Sequence, residues 1–442
     1  MGNWLEMTAA DLGRAIGAGE IDPVALTQTY LEAIDGHALR DRIYARVTSD
    51  RAMAEAEAAA ARAASGHRLS PLDGVPISWK DLIDSAGIKT EAGSALLKDR
   101  VPTHDAPVLA NATANGLICL GKTHMSELAF SGLGLNPVTA TSPCVNDLDA
   151  VSGGSSSGAA TSVAFNIAAA GIGSDTGGSV RIPSAWNDLV GLKTTSGRVT
   201  LEGVVPLCAR FDTIGPLCRS VEDAGLLLAA MEGVRAPDLH NVSMKGLRIG
   251  ALQTVVMDDV RGAPLAAYRS AIERLQAAGA IVEKFEAPEV APAMAQTGPT
   301  MTSEAYGQWR EVIEANPDLM FHEILARFRA GKEYSGPDFV AAWLMLDQCR
   351  AQWAARVAGY DAVICPTSPI LPPNIERLTT DHEYYVGENL LALRNTRVGN
   401  MLGLSVITLP TGVPSCGISL MGAAFGEARL LRVAKAAEAA LA

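Results

Sequence analysis

The chain has 442 residues, of which 48% are hydrophobic and 19% are charged, and its formal net charge is −12. This composition predicts a globular protein with a sizeable core and excludes a chain that is disordered throughout. The acidic balance disfavours a nucleic-acid-binding protein, because such a protein is expected to carry a basic face.

The cysteines and the N-terminus predict the compartment. Seven cysteines are scattered along the chain, and none forms a C-x-x-C pair. An odd number of dispersed cysteines favours reduced, buried thiols, so we expect a cytoplasmic protein. The first residues lack the pattern of a signal peptide, and no apolar run approaches the roughly 20 residues of a membrane span.

Helical and strand patterns alternate along the chain. Helices are predicted to begin at Thr8 and Asp22, and an alanine-rich helix covers residues 51–65. Residues 74–80 alternate with a period of two, which predicts a strand ending at a lysine. Later elements are predicted as follows: strands at 117–120, 247–252, 281–285, 361–365, 404–409 and 418–421, and helices at 264–278 and 427–441. This alternation predicts an α/β fold built as one unit.

Three motif matches stand in the wrong context. Residues 116–123 fit the P-loop pattern, but the four middle residues are apolar and must themselves be a strand. Residues 154–158 fit G-x-S-x-G with Ser156 as nucleophile, yet the acidic stretch before them is not the apolar strand that such an elbow requires. The histidines show no metal-ligand spacing. Neither nucleotide binding, nor a Ser-His esterase, nor a metal site is therefore favoured.

Two runs of small residues and one lysine carry the chemistry. Residues 152–158 contain Ser155, and residues 171–181 contain Ser179. Glycine and serine leave backbone N–H groups open to close approach. Lys80 ends an apolar strand, where burial can lower the pKa of its ammonium from about 10.4, and strand alternation points Asp81 to the opposite face. Two serines with a neutral lysine form a known nucleophile arrangement.

Residues 72–228 resemble the amidase signature family. The matching segments, in their order and spacing, are residues 74–77 with 80–81, then 121–123, 153–156, 173–183, 190–193 and 212–217. The resemblance implies a single-domain fold with a mixed twisted sheet surrounded by helices. No cofactor is expected, and no metal is expected because no metal-ligand spacing occurs in the sequence. The chain departs from the family's frequent residues at His124, Ser152, Ser157 and Asn187-Asp188.

The resemblance also implies roles for individual residues. Members hydrolyse amides with a Ser–cis-Ser–Lys triad, which places the nucleophile on Ser179, the bridging serine on Ser155 and the base on Lys80. The backbone N–H groups of the oxyanion hole fall on Thr176, Gly177 and Gly178. Substrate contacts fall on Ser131, Gly132 and Ser156.

The expected function is hydrolysis of a small carboxylic amide by a single amidase domain over 1–442. That domain divides into N-terminal helices at 1–70, the signature core at 71–228 and a substrate-shaping remainder at 229–442. The expected partner is a small amide substrate, with no direct nucleic-acid or membrane partner and with a homodimer left open. The sequence leaves the roles of Arg394 and Arg397 open.

The main alternative is the glutaminase component of a glutamyl-tRNA amidotransferase, its A subunit, which belongs to the same family. That component is expected to carry an acidic residue seven positions before the Asn-Leu-x-Gly stretch. Here the stretch is residues 400–403 and the position is Leu393, which favours an amidase that works alone. A non-catalytic binding protein is disfavoured because the three triad positions are intact.

Overall fold

A mixed sheet of eleven strands runs through the protein; the computed structural model describes residues 4–442. The strands are β1 (Tyr44–Val47), β2 (Pro76–Lys80), β3 (Ile118–Thr123), β4 (Pro143–Cys144), β5 (Asp147–Val151), β6 (Ala170–Ser174), β7 (Val190–Lys193), β8 (Ile214–Cys218), β9 (Arg248–Leu252), β10 (Ile281–Phe285), β11 (Ala362–Pro366), β12 (Ser405–Pro410) and β13 (Gly417–Gly422). The order in the large sheet is β1-β3-β2-β6-β8-β7-β12-β13-β11-β9-β10, and β4 and β5 form a separate hairpin.

Helices pack against this sheet. They are α1 (Ala9–Gly17), α2 (Pro23–Gly36), α3 (Arg40–Ile43), α4 (Ser49–Ser65), α5 (Pro107–Ala114), α6 (Ser157–Ala164), α7 (Arg181–Trp186), α8 (Val221–Glu232), α9 (Gly262–Ala277), α10 (Val290–Ala295), α11 (Ser303–Ala315), α12 (His322–Arg329), α13 (Gly336–Val357), α14 (Ile375–Thr380), α15 (His382–Met401) and α16 (Glu427–Leu441). No helix within residues 4–442 has both the length and the apolar character that crossing a membrane requires.

The two predicted helix starts are confirmed, and both Thr8 and Asp22 are N-cap residues. The side chain of Thr8 accepts a hydrogen bond from the N–H of Asp11, and the side chain of Asp22 accepts from the N–H groups of Val24 and Ala25. Such caps satisfy N–H groups that the first turn of a helix leaves without partners. The alanine-rich helix ends at Gly66, whose φ of 74° is a left-handed conformation that favours glycine.

Three parallel strands near one end of the sheet carry the site. β2 pairs in parallel with β3 on one side and with β6 on the other, and Trp79 lies opposite Ile172. Parallel neighbours end at the same edge of a sheet, so Lys80 and Ser174, the last residues of β2 and β6, come together there. Every residue of β2, β3 and β6 is buried, as is usual for strands covered on both faces.

The α/β prediction is confirmed, because a large mixed sheet lies among helices. Both the signature core and the remainder contribute strands to that sheet, while the three-part division of the chain stays a prediction. The stretch before Ser155 is a strand after all, β5, but it belongs to the small hairpin and exposes its first three residues. It therefore does not lead from the sheet into a nucleophile elbow.

The strand predicted inside the P-loop match is confirmed as part of β3. Lys122, which would hold a phosphate in a P-loop, is instead fully buried and donates hydrogen bonds to the carbonyl oxygen of Ile83 and to Thr90 Oγ1. The seven cysteines are free and buried, as predicted. The helices between residues 290 and 401 were not predicted, and they supply part of the wall of the site.

Candidate active site

Lys80 lies at the carboxyl end of β2 with its side chain fully buried. Its Nζ donates hydrogen bonds to Ser155 Oγ at 2.7 Å and to Ser174 Oγ at 2.8 Å. Both partners are hydroxyl groups, which can accept a proton as well as donate one. The lysine is thus linked to a buried serine by a direct hydrogen bond.

Burial lowers the pKa of Lys80 to about 7, because the protein interior disfavours its charged form. The charges of Asp175 and Asp212 act in the opposite direction and raise it. Asp81 follows Lys80 but is within salt-bridge distance of Arg46 and Lys122 instead, as strand alternation predicts. A substantial fraction of Lys80 is therefore neutral at pH 7.

Two loops bring the serines to the same place. Ser155 precedes α6, and its peptide bond with Gly154 is cis, as the resemblance implies. Ser179 precedes α7, and its carbonyl oxygen accepts the N–H of Ser156 at 3.2 Å. Ser155 is fully buried and Ser179 is 3% exposed. Lys80, Ser155 and Ser179 thus lie on adjoining segments at one edge of the sheet.

The loop before Ser179 is organised around Asp175. This fully buried carboxylate accepts two hydrogen bonds from the guanidinium of Arg181, each at 2.9 Å, and one at 2.9 Å from Asn400 Nδ2. Burial alone would raise the pKa of Asp175, but the charge and hydrogen bonds of Arg181 hold it well below its usual range. The loop is held by an ionised carboxylate at its centre.

The predicted oxyanion residues differ in their hydrogen bonds. The N–H of Gly178 donates to Asp175 Oδ1 at 2.9 Å and is already engaged. Within residues 4–442 the N–H groups of Thr176, Gly177 and Ser179 donate to no protein acceptor. The hydroxyl of Thr176 donates to buried Asp212, which fixes the loop. Two of the three predicted donors are therefore available to a ligand, together with the N–H of Ser179 itself.

The predicted substrate contacts are all engaged within the protein. Ser131 lines the cavity that contains Ser179, but its Oγ donates to Asn389 Oδ1 and accepts from the N–H of Leu133 and from the hydroxyl of Tyr385. The N–H of Gly132 donates to Asn389 Oδ1 at 3.0 Å, and Ser156 Oγ exchanges hydrogen bonds with the backbone of Ser174. The polar groups of Gly132 and Ser156 are satisfied within the protein, so both residues hold the loops in place.

A narrow cavity opens at Ser179. Its volume is about 30 Å³. Its walls are formed by Ala129, Phe130, Ser131, Thr176, Gly177, Ser179, Leu207, Cys208, Met301, Arg327, Leu393 and Arg397. A larger cleft of about 690 Å³ lies between Trp343, Arg350 and Lys193, but its walls include none of the three triad residues. The small cavity is therefore the candidate substrate site.

Several residues of this site were missed from the sequence. Ser174 could have been found by pairing β2 with β6, because parallel neighbours place their last residues side by side. Asp175 and Arg181 stand in the small-residue run, but nothing local indicates that they pair. Asn400 lies 225 residues from the carboxylate that it contacts, and Arg327 comes from a helix that was not predicted. Only the fold brings these residues to the serines.

One cluster bears on the prediction that no metal is bound. His322 Nε2 and His382 Nδ1 lie 3.2 Å and 2.5 Å from the same oxygen of Glu323. Both histidines are exposed and Glu323 is buried. Two histidines and a carboxylate are a donor set that zinc accepts, although here each histidine already has a carboxylate partner. The absence of a metal stays a prediction.

Comparison with known proteins identifies the family. The sequence profile of the family described as Amidase matches residues 25–431. The chain is 33% identical to 2-amino-5-chloromuconic acid deaminase of Comamonas testosteroni, over 99% of this chain and 96% of the relative. It is 30% identical to the A subunit of the glutamyl-tRNA(Gln) amidotransferase of Anaeromyxobacter dehalogenans, over 97% of this chain and 95% of the relative.

The fold gives the same answer. The structure of native peptide amidase from Stenotrophomonas maltophilia superposes with a TM-score of 0.84 at 27% identity, covering 99% of this chain and 97% of the other. The protein therefore belongs to the Amidase family. It is an amidase, a hydrolase that acts on carbon–nitrogen bonds.

Proposed function

We propose that the protein hydrolyses a small carboxylic amide through an acyl-enzyme on Ser179, with Ser155 relaying the proton and Lys80 acting as the base. The observation that carries this proposal is the buried hydrogen bond of 2.7 Å between Lys80 and Ser155 beside the cavity at Ser179. A serine hydroxyl needs a base to become a nucleophile, and a lysine with a pKa of about 7 supplies one at neutral pH.

The reaction proceeds in two halves. Ser179 Oγ forms a bond to the carbonyl carbon while its proton passes to Ser155, whose own proton passes to Lys80. The carbon–nitrogen bond then breaks as the nitrogen takes a proton back through Ser155, and ammonia or an amine leaves. Water attacks the resulting ester by the same relay, giving the carboxylic acid and restoring Ser179.

Charge on the carbonyl oxygen is held by backbone donors. In the tetrahedral intermediate that oxygen is negative, and preorganised N–H groups stabilise it most in a site that excludes water. The N–H groups of Thr176, Gly177 and Ser179 are the available donors of the loop. The ionised Asp175 keeps this loop rigid through Arg181 and through the N–H of Gly178. Ser131 lines the same cavity as Ser179 and is the proposed substrate contact.

Leu393 argues against the amidotransferase alternative. This apolar residue lines the cavity, and a methyl carbon built on Gly177 would lie 3.6 Å from it. An apolar side chain cannot offset the desolvation of the α-ammonium group of glutamine. We therefore infer that the chain works without a partner protein on an amide other than glutamine. The relative from Comamonas testosteroni likewise acts, by its name, on a small organic acid.

The test is a matched pair of serine variants. Ser179→Ala is expected to lower kcat at least about a thousandfold, because loss of one member of an acting unit removes most of its effect. Ser184→Ala is the control, since Ser184 Oγ is buried on α7 and has no hydrogen-bond partner within residues 4–442. The measurement is ammonia release from a panel of amides, glutamine included. A Ser179→Ala enzyme that keeps a tenth of the activity would rule out this nucleophile.

A further inference from the structure

Two arginines lie in the wall of the cavity at Ser179. Arg327 comes from α12 and Arg397 from α15, and both side chains are partly buried. The other wall residues are largely apolar or small, among them Phe130, Leu207 and Met301. Cationic groups in an apolar cavity are unfavourable unless something of opposite charge compensates them.

Among the described residues, neither arginine has a carboxylate partner. Within residues 4–442 no acidic side chain lies within salt-bridge distance of Arg327 or Arg397, and the buried Nε of Arg327 lacks any hydrogen-bond partner. The carboxylate of Glu323 acts on the pKa of Arg327 only through longer-range electrostatic attraction. Its Oε1 is in contact with His322 and His382 instead. The guanidinium of Arg327 lies 4.7 Å above the ring of Phe130.

One buried arginine and one partly buried arginine show what is missing. Arg181 forms a bidentate pair with Asp175, and Arg198 forms one with Glu232. Burial, together with the nearby positive charge of Arg327, lowers the pKa of Arg397 to about 9. Arg397 nevertheless remains charged at pH 7. Two cations that repel each other across a cavity form a ready site for an anion.

The position of Arg397 relates this site to the reacting carbonyl. A methyl carbon built on Gly177 would lie 3.6 Å from Arg397 Cγ and 3.8 Å from its Nε. The Nε of the Arg397 guanidinium thus lies beside Gly177, whose backbone N–H would bind the carbonyl oxygen of the substrate. The cavity is narrow, so a substrate that reaches both Ser179 and the arginines has a short chain.

We propose that the substrate is an amide whose acyl part ends in a carboxylate, and that Arg397 and Arg327 bind this carboxylate. The substrate class is thus the monoamide of a short dicarboxylic acid. This inference rests on the proposed function of Ser179. The apolar walls contact the carbon chain, and the two ends of the substrate are fixed at the arginines and at the oxyanion loop. Glutamine fits this class poorly, because its α-ammonium would lie among the two cations and Leu393.

The experiment compares charged substrates with neutral ones of the same shape. Succinamate is paired with 4-methylpentanamide, and glutaramate with 5-methylhexanamide, since an isopropyl group replaces the carboxylate in each pair. In the wild-type enzyme kcat/KM is expected to favour the charged member by about 100-fold, the value of one or two hydrogen bonds between charged groups. Arg397→Gln and Arg327→Gln should each reduce this ratio at least about tenfold, and Arg397→Lys should restore part of it.

Arg394→Gln is the matched control. Arg394 lies on the same helix as Arg397, but it donates to Asn395 and to the carbonyl oxygen of Val256, away from the cavity. This variant should leave the ratio unchanged. The proposal is overturned if the wild-type enzyme prefers the charged substrate by less than about threefold in kcat/KM. It is also overturned if this preference is unchanged in both Arg397→Gln and Arg327→Gln. A preference for amides with the carboxylate on the leaving amine, such as acetylglycine, also overturns it.

A binding measurement covers the case in which none of these amides is hydrolysed. Calorimetry with the Ser179→Ala enzyme should detect glutarate in the millimolar range or tighter, with at least about tenfold weaker binding after Arg397→Gln. The proposal is overturned if glutarate does not bind, or if its affinity is the same before and after Arg397→Gln. Failure of the proposed function is a separate result, because it shows as hydrolysis that persists in Ser179→Ala.

Discussion

Lys80 and Lys193 are two buried lysines at the ends of strands of one sheet, and burial lowers the pKa of each to about 7. They differ in their partners. Lys80 donates to the hydroxyls of Ser155 and Ser174, whereas Lys193 donates to the carbonyl oxygens of Thr194 and Leu404. A hydroxyl group can accept one proton and release another, so it can relay a proton. A carbonyl oxygen carries no proton and can only accept a hydrogen bond.

The comparison shows that a lowered pKa does not by itself identify a catalytic base. Buried ion pairs and structural lysines shift as strongly as catalytic groups. Lys193 ties a strand to its neighbours and borders the larger cleft. Lys80 donates to two hydroxyls, and Ser155, one of them, lies on a segment that adjoins the loop of Ser179. What separates the two lysines is whether the neighbouring atoms can carry the proton away.

The largest expected effect comes from replacing each lysine by glutamine. A glutamine keeps an N–H donor but cannot act as a base. Lys80→Gln should lower kcat/KM by about 10³-fold or more, within the range that general base catalysis contributes. Lys193→Gln should cost less than about tenfold per folded molecule, because its amide can still donate to a carbonyl oxygen. Steady-state kinetics, corrected for the folded fraction by circular dichroism, measures both; equal losses would contradict the comparison.

The fold was largely predictable because local patterns carry it. The capping residues Thr8 and Asp22 and the alternation of residues 74–80 indicate their elements directly. Candidate site residues could be proposed from the sequence where they stand in the small-residue runs, such as Ser155 and Ser179, or at the end of a patterned strand, as Lys80 does. Arg327 and Asn400 could not, since their partners lie far away in sequence and no local period marks them. The engaged N–H of Gly178 also needed the structure, because it depends on where the Asp175 carboxylate points.

The next expected effect is on the pH profile of the wild-type enzyme. The base must be neutral, so kcat/KM should rise with pH through a midpoint near 7, the pKa of Lys80. Below that midpoint the rate should fall about tenfold per pH unit as the amine becomes protonated. Lys193→Gln should keep this midpoint, which shows that the titrating group is not Lys193. A midpoint near 10 in the wild-type enzyme would contradict the assignment of Lys80.

The smallest expected effect concerns the second hydroxyl on Lys80. Ser174→Ala removes one of two hydrogen bonds to the lysine while the bond to Ser155 remains. A single hydrogen bond contributes about 0.5–1.5 kcal/mol net, so kcat/KM should fall only about two- to tenfold. Ser174 Oγ accepts from the lysine and favours its charged form, so its loss should also move the pH midpoint slightly toward acid. Ser155→Ala breaks the relay itself and should cost far more. If the two alanine variants lose the same activity, both hydroxyls serve only to hold Lys80 in place, and the proton must reach it by another route.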